Sequence, residues 1–307
     1  MSNILHGKYH LDIAIANQKV GDLYSDKECF KEALPYLKTA LRAHMSNHNI
    51  SPEISSLLYK IGRVYYETDE FSGALKYFTS SLNMDKQMYG DTHGGLAHTY
   101  LLLGQIHLTT SRLDEAIGHL SQALALLSFT NPNHYEDLSS ILLRIGIAYM
   151  KQHDYPSAEH VYTQRLSLQK TMYGDIENTY IAETFKQLAT IHMSRKHFQQ
   201  ALHSYLHLLH IQRKLLGKEH YKIASLLIQI GDIYNYHLSY ESSRAITVYQ
   251  EALRILQLRC ENEERILSLQ KKIASVYEYS SERNFDGDGD GHCYRWDQEF
   301  SIHSLGN

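Results

Sequence analysis

Residues 58–78 read LYKIGRVYYETDEFSGALKYF, and the spacing of four letters in that stretch decides the fold. Gly62 is followed by Tyr65 three places on, Ala74 twelve places on and Phe78 sixteen places on. Around the glycine, Leu57, Leu58, Ile61, Val64 and Tyr65 recur three and four apart, the period of one face of an α-helix. A glycine in mid-helix costs up to about 1 kcal/mol in propensity, so a recurring one has a packing reason.

It does recur. Gly21, Gly62, Gly104, Gly146, Ala189, Gly231 and Ala274 follow one another at steps of 41, 42, 42, 43, 42 and 43. Three places after each stands Tyr24, Tyr65, His107, Tyr149, His192, Tyr234 or Tyr277. Twelve places after the first five come Ala33, Ala74, Ala116, Ala158 and Ala201, with Leu37, Phe78, Leu120, Tyr162 and Tyr205 four further on. In the sixth unit the alanine and the large residue are Ala245 and Tyr249, both two places late, which predicts a two-residue insertion around His237 to Ser243. Each unit is read as a helix pair: the small residue admits the second helix, the alanine answers it, and the large residue fills the space between pairs. A lone pair cannot bury its apolar face, so units stack. The fold class expected is all-α, a right-handed superhelical solenoid of antiparallel helix pairs.

Loops follow the same period. HGKYHLDIA at 6–14 and LGKEHYKIA at 216–224 share five of nine letters. Gly7, Gly90, Gly174 and Gly217 precede the small residue by 14 or 15 places and are read as left-handed helix ends. His10, Ser51, His93, Asn178 and His220 are read as caps of the helices that follow, with Pro52 suited to a first helical position. On this reading the chain starts inside a loop, as an array that begins abruptly or as a piece of a longer one.

Bulk properties narrow the function. The 307 residues exceed one compact core, while 43 % hydrophobic and 21 % charged residues are ordinary for a folded, soluble chain. A net charge of −4 is too mild to argue for nucleic acid or anionic membrane, and neither is expected as a partner. No run approaches the roughly 18 apolar residues of a spanning helix, and the first residues lack a secretory layout. Cys29, Cys260 and Cys293 lie far apart, which suits a reducing compartment, so the cytoplasm is expected and Asn49-Ile50-Ser51 is not read as glycosylated. No catalytic triad order, phosphate loop or paired carboxylate stands out. An enzyme is not expected, nor is a small-molecule substrate.

The small–aromatic–alanine–aromatic punctuation resembles the tetratricopeptide repeat. The 42-residue period and the loop Leu216-Gly217-Lys218-Glu219-His220-Tyr221-Lys222-Ile223-Ala224 make it similar to the long repeats of kinesin light chains and nephrocystin-like proteins. The likeness covers residues 5–278. Two departures limit it: nothing upstream forms the motor-binding coiled coil, and the Asn pair before the small residue is absent, the residue two before being Lys19, Lys60, Leu102, Arg144, Gln187 or Gln229. The resemblance implies a non-catalytic adaptor whose first helices line a concave peptide groove. Carried over by position, the groove comprises Tyr59, Arg63, Tyr66, Leu101, Gln105, Leu143, Ile147, Met150, Lys151, Lys186, Asn235 and Tyr236. Its middle is apolar and its charges are basic, so the expected ligand is a peptide segment of a partner protein with apolar anchors and acidic character.

Two further features carry chemistry of their own. His203, His207 and His210 share a helix face with zinc-binding spacing, but polar occupants of equivalent slots (Lys76, Ser80, Gln164) favour a solvated outer face. After Tyr277 the pattern stops, so the array is bounded at 1–279 and 280–307 is read as a flexible tail. Within it, Asp286, Asp288, Asp290 and Asp297, with Gly291 at the sixth position, match EF-hand spacing over 286–297 and make calcium the one cofactor to consider, against the bland reading of an Asp/Gly tail. A calcium-responsive regulator and a scaffold fragment of a larger protein are the alternatives to the adaptor.

Overall fold

The computed structural model describes the backbone of residues 2–46, 50–174, 176, 178–238, 242–259 and 263–285. Among these residues there are thirteen α-helices and no strand. In chain order they are α1 (Ser2–Asp26), α2 (Phe30–Met45), α3 (Pro52–Glu67), α4 (Phe71–Tyr89), α5 (Leu96–Thr109), α6 (Leu113–Thr130) and α7 (Tyr135–Lys151). Then follow α8 (Tyr155–Tyr173), α9 (Thr179–Ser194), α10 (Phe198–Leu216), α11 (Tyr221–Tyr236), α12 (Ser242–Leu258) and α13 (Glu263–Phe285). The chain divides into two compact units, 1–211 and 212–307. Within each, pairs such as α3 with α4 and α11 with α12 pack together, and the second helix of a pair packs on the first helix of the next, as α4 does on α5.

Each pair is closed by the same short turn. Three residues separate the helices of the first five pairs, and the middle one (Glu28, Asp69, Ser111, His153, Lys196) has φ of 59–60°. The carbonyl of the residue three after the small position accepts from the amide that opens the second helix: Tyr24 from Cys29, Tyr65 from Glu70, His107 from Arg112, Tyr149 from Asp154 and His192 from His197, at 2.8–3.0 Å. Between α11 and α12 the turn is five residues, 237–241, so the two-residue insertion falls where the late Ala245 and Tyr249 placed it.

The glycines admit the second helix as the sequence reading expected, but the large residue lies elsewhere than expected. A methyl group on Gly62 would lie 2.7 Å from the Phe78 ring, and the same distance recurs from Gly21 to Leu37, Gly104 to Leu120 and Gly146 to Tyr162. The large residue therefore sits over the glycine inside its own pair, rather than filling the space between pairs. Ala33, Ala74, Ala116, Ala158, Ala201 and Ala245 are fully buried beside that contact. A buried ring of this size contributes roughly 2–3 kcal/mol of apolar burial, which explains why the glycine's propensity cost recurs.

Helix ends follow the loop reading in part. Gly90, Gly174 and Gly217 have φ of 83°, 58° and 83°, and each amide bonds to the carbonyl four residues back. Ser51 accepts from the Ile54 amide, Asn178 from Tyr180 and Ile181, and His220 Nδ1 from Lys222. His93 does not cap with its side chain: α5 is preceded by Gly95, already in the right-handed helical region, and the His93 carbonyl accepts from the Leu96 amide. Nor does the chain begin in a loop. α1 runs unbroken from Ser2 through Gly7 and His10. Once a helix is nucleated each added residue gains a hydrogen bond that outweighs one glycine. At the other end α13 continues to Phe285, past the boundary expected at 279. Asp286, Asp288, Asp290 and Asp297 lie outside the described residues.

Candidate functional site

In the 1–211 unit α3, α5, α7 and α9 are the first helices of successive pairs, and α5 and α7 touch directly. Tyr59, half-buried on α3, packs its ring 5.5 Å from Phe78 and 5.9 Å from His98 on α5. One turn on, Arg63 is exposed and lies 3.7 Å from Glu67. Burial holds the His98 imidazole below its ordinary range, with the Arg63 charge acting the same way and Asp137 opposing. Burial pushes the Tyr66 phenol up, while the Arg144 guanidinium on α7 and a hydrogen bond with Gln105 pull it down, and Glu67 and Asp69 push with burial. Tyr66, Gln105 and Arg144 thus converge from three successive first helices.

On α5 and α7, Leu101, Leu143, Ile147 and Met150 are half-buried, each with its inner side against a core cluster and its outer side open. Lys151 is exposed, and Lys186 is exposed with Glu183 at 3.9 Å. The expected site residues of this unit are thus half-buried apolar side chains together with exposed Arg63, Lys151 and Lys186. Asn235 and Tyr236 belong to the 212–307 unit. Tyr236 is exposed, whereas Asn235 hydrogen-bonds to Tyr249, whose hydroxyl donates to Asp232 Oδ1 at 2.6 Å. That network serves the pairing of α11 with α12.

Two features escaped the expected list. One is Arg144, recorded only as the residue two before Gly146. The other is Arg165, nearly fully buried on α8, whose Nε donates to the Ser139 carbonyl at 3.1 Å and whose Nη1 donates to Thr184. Its slot is alanine in the first and third units (Ala40, Ala123) and serine in the second, where Ser55 and Ser81 bond to each other at 3.0 Å. Each of these polar pairs spans 26 residues, so Arg165 ties neighbouring elements together within the stack. The fixed 26-residue offset between polar residues was its sequence signal.

His203 and His207 have Nε2 atoms 3.2 Å apart, but no group of three or more His, Cys, Asp or Glu among the described residues is arranged to hold a metal ion. No helix of the described residues is long and apolar enough to cross a membrane.

Comparison with known proteins agrees with this geometry. No curated protein matches the sequence. Family models described as tetratricopeptide repeat match residues 12–87, 53–128 and 181–221. Among solved structures, nearly identical TPR-like repeats of a Podosopora anserina protein named for the kinesin light chain superpose with a TM-score of 0.55 at 14 % identity, covering 66 % of this chain and 95 % of that one. BtubC (BKLC) from P. vanneervenii gives 0.52 at 14 %, covering 83 % and 93 %. The C-terminal part of a TPR repeat-containing protein from Cytophaga hutchinsonii gives 0.58 at 16 %, covering 86 % and 90 %. At these identities the structures speak for the fold alone. The 42-residue helix pairs, the glycine under a large residue and the family models spanning more than half of the sequence lead to one assignment: the chain belongs to the tetratricopeptide repeat family.

Proposed function

We propose that the chain is a non-catalytic adaptor whose first-helix face, from Tyr59 to Lys186, binds peptide segments of partner proteins. Tetratricopeptide repeats commonly serve as protein-interaction scaffolds, and the likeness to kinesin light chain-type repeats points the same way. One observation carries the reading beyond the family. Leu101, Leu143, Ile147 and Met150 are only half-buried, and Arg63, Lys151 and Lys186 on the same first helices are exposed. A peptide with apolar anchors and acidic flanks fits that pattern, since burial supplies affinity and the charges fix register. The proposed setting is the cytoplasm, where Cys29 would stay a free thiol.

The test uses two sets of substitutions. Replacing Leu101, Leu143 and Met150 with Asp puts charge among these apolar side chains and abolishes capture of partners by the full chain. Because those side chains also touch the core, Arg63→Glu with Lys151→Glu provides a second set at exposed positions that leaves the fold intact. Partners that bind both sets as tightly as the native chain would refute the proposal.

A further inference from the structure

The residue two before the small position meets, across the stack, the residue one after the small position of the preceding unit. Twice this slot holds a cation facing an aspartate. Lys60 Nζ lies 2.8 and 2.7 Å from the two Asp22 carboxylate oxygens, and Lys272 Nζ lies 2.6 Å from Asp232 Oδ1. In the fourth unit the cation is Arg144, but the residue at the matching position of the preceding unit is Gln105, which carries no charge; both act on the Tyr66 hydroxyl. Arg144 Nε is buried without a hydrogen-bond partner, and no carboxylate of the described residues pairs with the guanidinium. Its surroundings are the Tyr66 hydroxyl, bonded to Gln105, with Leu101, Leu143 and Ile147 on the same first helices.

We infer that Arg144 is a carboxylate anchor: the acid that the repeat supplies in its other two cation rungs is supplied here by an Asp or Glu side chain of the bound peptide. The inference rests on the peptide-face reading and names the residue that reads the peptide's charge. A half-buried guanidinium lacking a partner has already lost part of its hydration, and its planar fork can donate two parallel hydrogen bonds to a carboxylate. Tyr66 and Gln105 border the place where that carboxylate would sit, and the half-buried apolar side chains take the neighbouring anchors. Glu67 does not fill the role, since it lies against Arg63.

A phage-displayed library of random 12-residue peptides, panned against the full chain, tests this. Selected sequences should carry Asp or Glu at a fixed distance from an apolar anchor, and synthetic peptides with that acid changed to its amide should bind at least tenfold more weakly. Arg144→Met should erase the difference between acid and amide forms. Gln105→Glu, which restores the missing rung within the chain, should erase it too while raising the urea midpoint of unfolding. Binders that are lost on Arg63→Glu with Lys151→Glu, yet take acid and amide forms equally, overturn the anchor and leave the peptide face standing. A library that yields no binder removes the peptide face, and the anchor with it.

Discussion

Two glycines in helix interiors separate packing from propensity. Gly118 lies inside α6, exposed, and a methyl group there would meet nothing within 4 Å. Gly118→Ala should therefore stabilise the chain by up to about 1 kcal/mol, the ordinary helix gain. Gly62 lies inside α3, where the same methyl would stand 2.7–3.1 Å from three atoms of the fully buried Phe78 ring. Overpacking of that kind costs about 1–3 kcal/mol, against which the same propensity gain of about 1 kcal/mol applies. Gly62→Ala should end between neutral and about 2 kcal/mol destabilising, and the gap between the two variants, about 1–3 kcal/mol, is the packing term alone. Urea denaturation followed by far-ultraviolet circular dichroism measures both. If Gly62→Ala stabilises as much as Gly118→Ala, the glycine slot is not there to admit the large residue, and the account of the repeat is wrong.

The other predictions concern buried polar groups. The Tyr162 hydroxyl is buried with no hydrogen-bond partner, and burial pushes its phenol up to about 12. Tyr162→Phe, which places the ring of Phe78's slot over Gly146, should stabilise the chain by about 1 kcal/mol, and a loss of stability would show that the hydroxyl has a partner. In the third unit the stacked pair Tyr24–Tyr36 and Tyr65–Tyr77 of the first two becomes His107–His119, with ring centroids 5.2 Å apart. Both imidazoles are held below their ordinary value of 6.5, chiefly by burial, with Arg112 and His119 adding to the effect on His107, Lys86 adding on His119, and Glu115 opposing on both. A lowered folded value means that the unfolded chain binds protons first, so stability is full above pH 6.5 and falls as pH drops through 6.5 toward the lowered values. The melting temperature should fall between pH 7.5 and 5.5, and His107→Tyr with His119→Tyr should flatten that slope; an unchanged slope would show that these histidines are not its source.

The period made the helix pairs, the glycine slots and the long turn of the sixth unit legible, because each depends on spacing within one unit. Ser51 and Asn178 were legible as caps for the same reason, since a cap needs only the next three residues. What spacing could not supply is what one unit places against the next. Asp22 meeting Lys60 depends on the pitch between stacked pairs, which two residues 38 apart do not reveal by themselves. Within a pair, the sequence named both Gly62 and Phe78 but not that they touch. Likewise HGKYH read as a loop because LGKEH is one, although the turn in the second copy follows from α10 ending at Leu216 before α11. Of the expected site, Asn235 is taken up by the hydrogen bond to Tyr249, which a reading of helix positions alone does not reveal.

The central claim is that the first-helix face takes the peptide. Methyl NMR of the full chain, labelled at Leu, Ile and Met and titrated with a library-selected peptide, reads this directly. The account predicts shifts at Leu101, Leu143, Ile147 and Met150, with Leu124 and Leu168 on the second helices unmoved. Shifts confined to the second helices would contradict it.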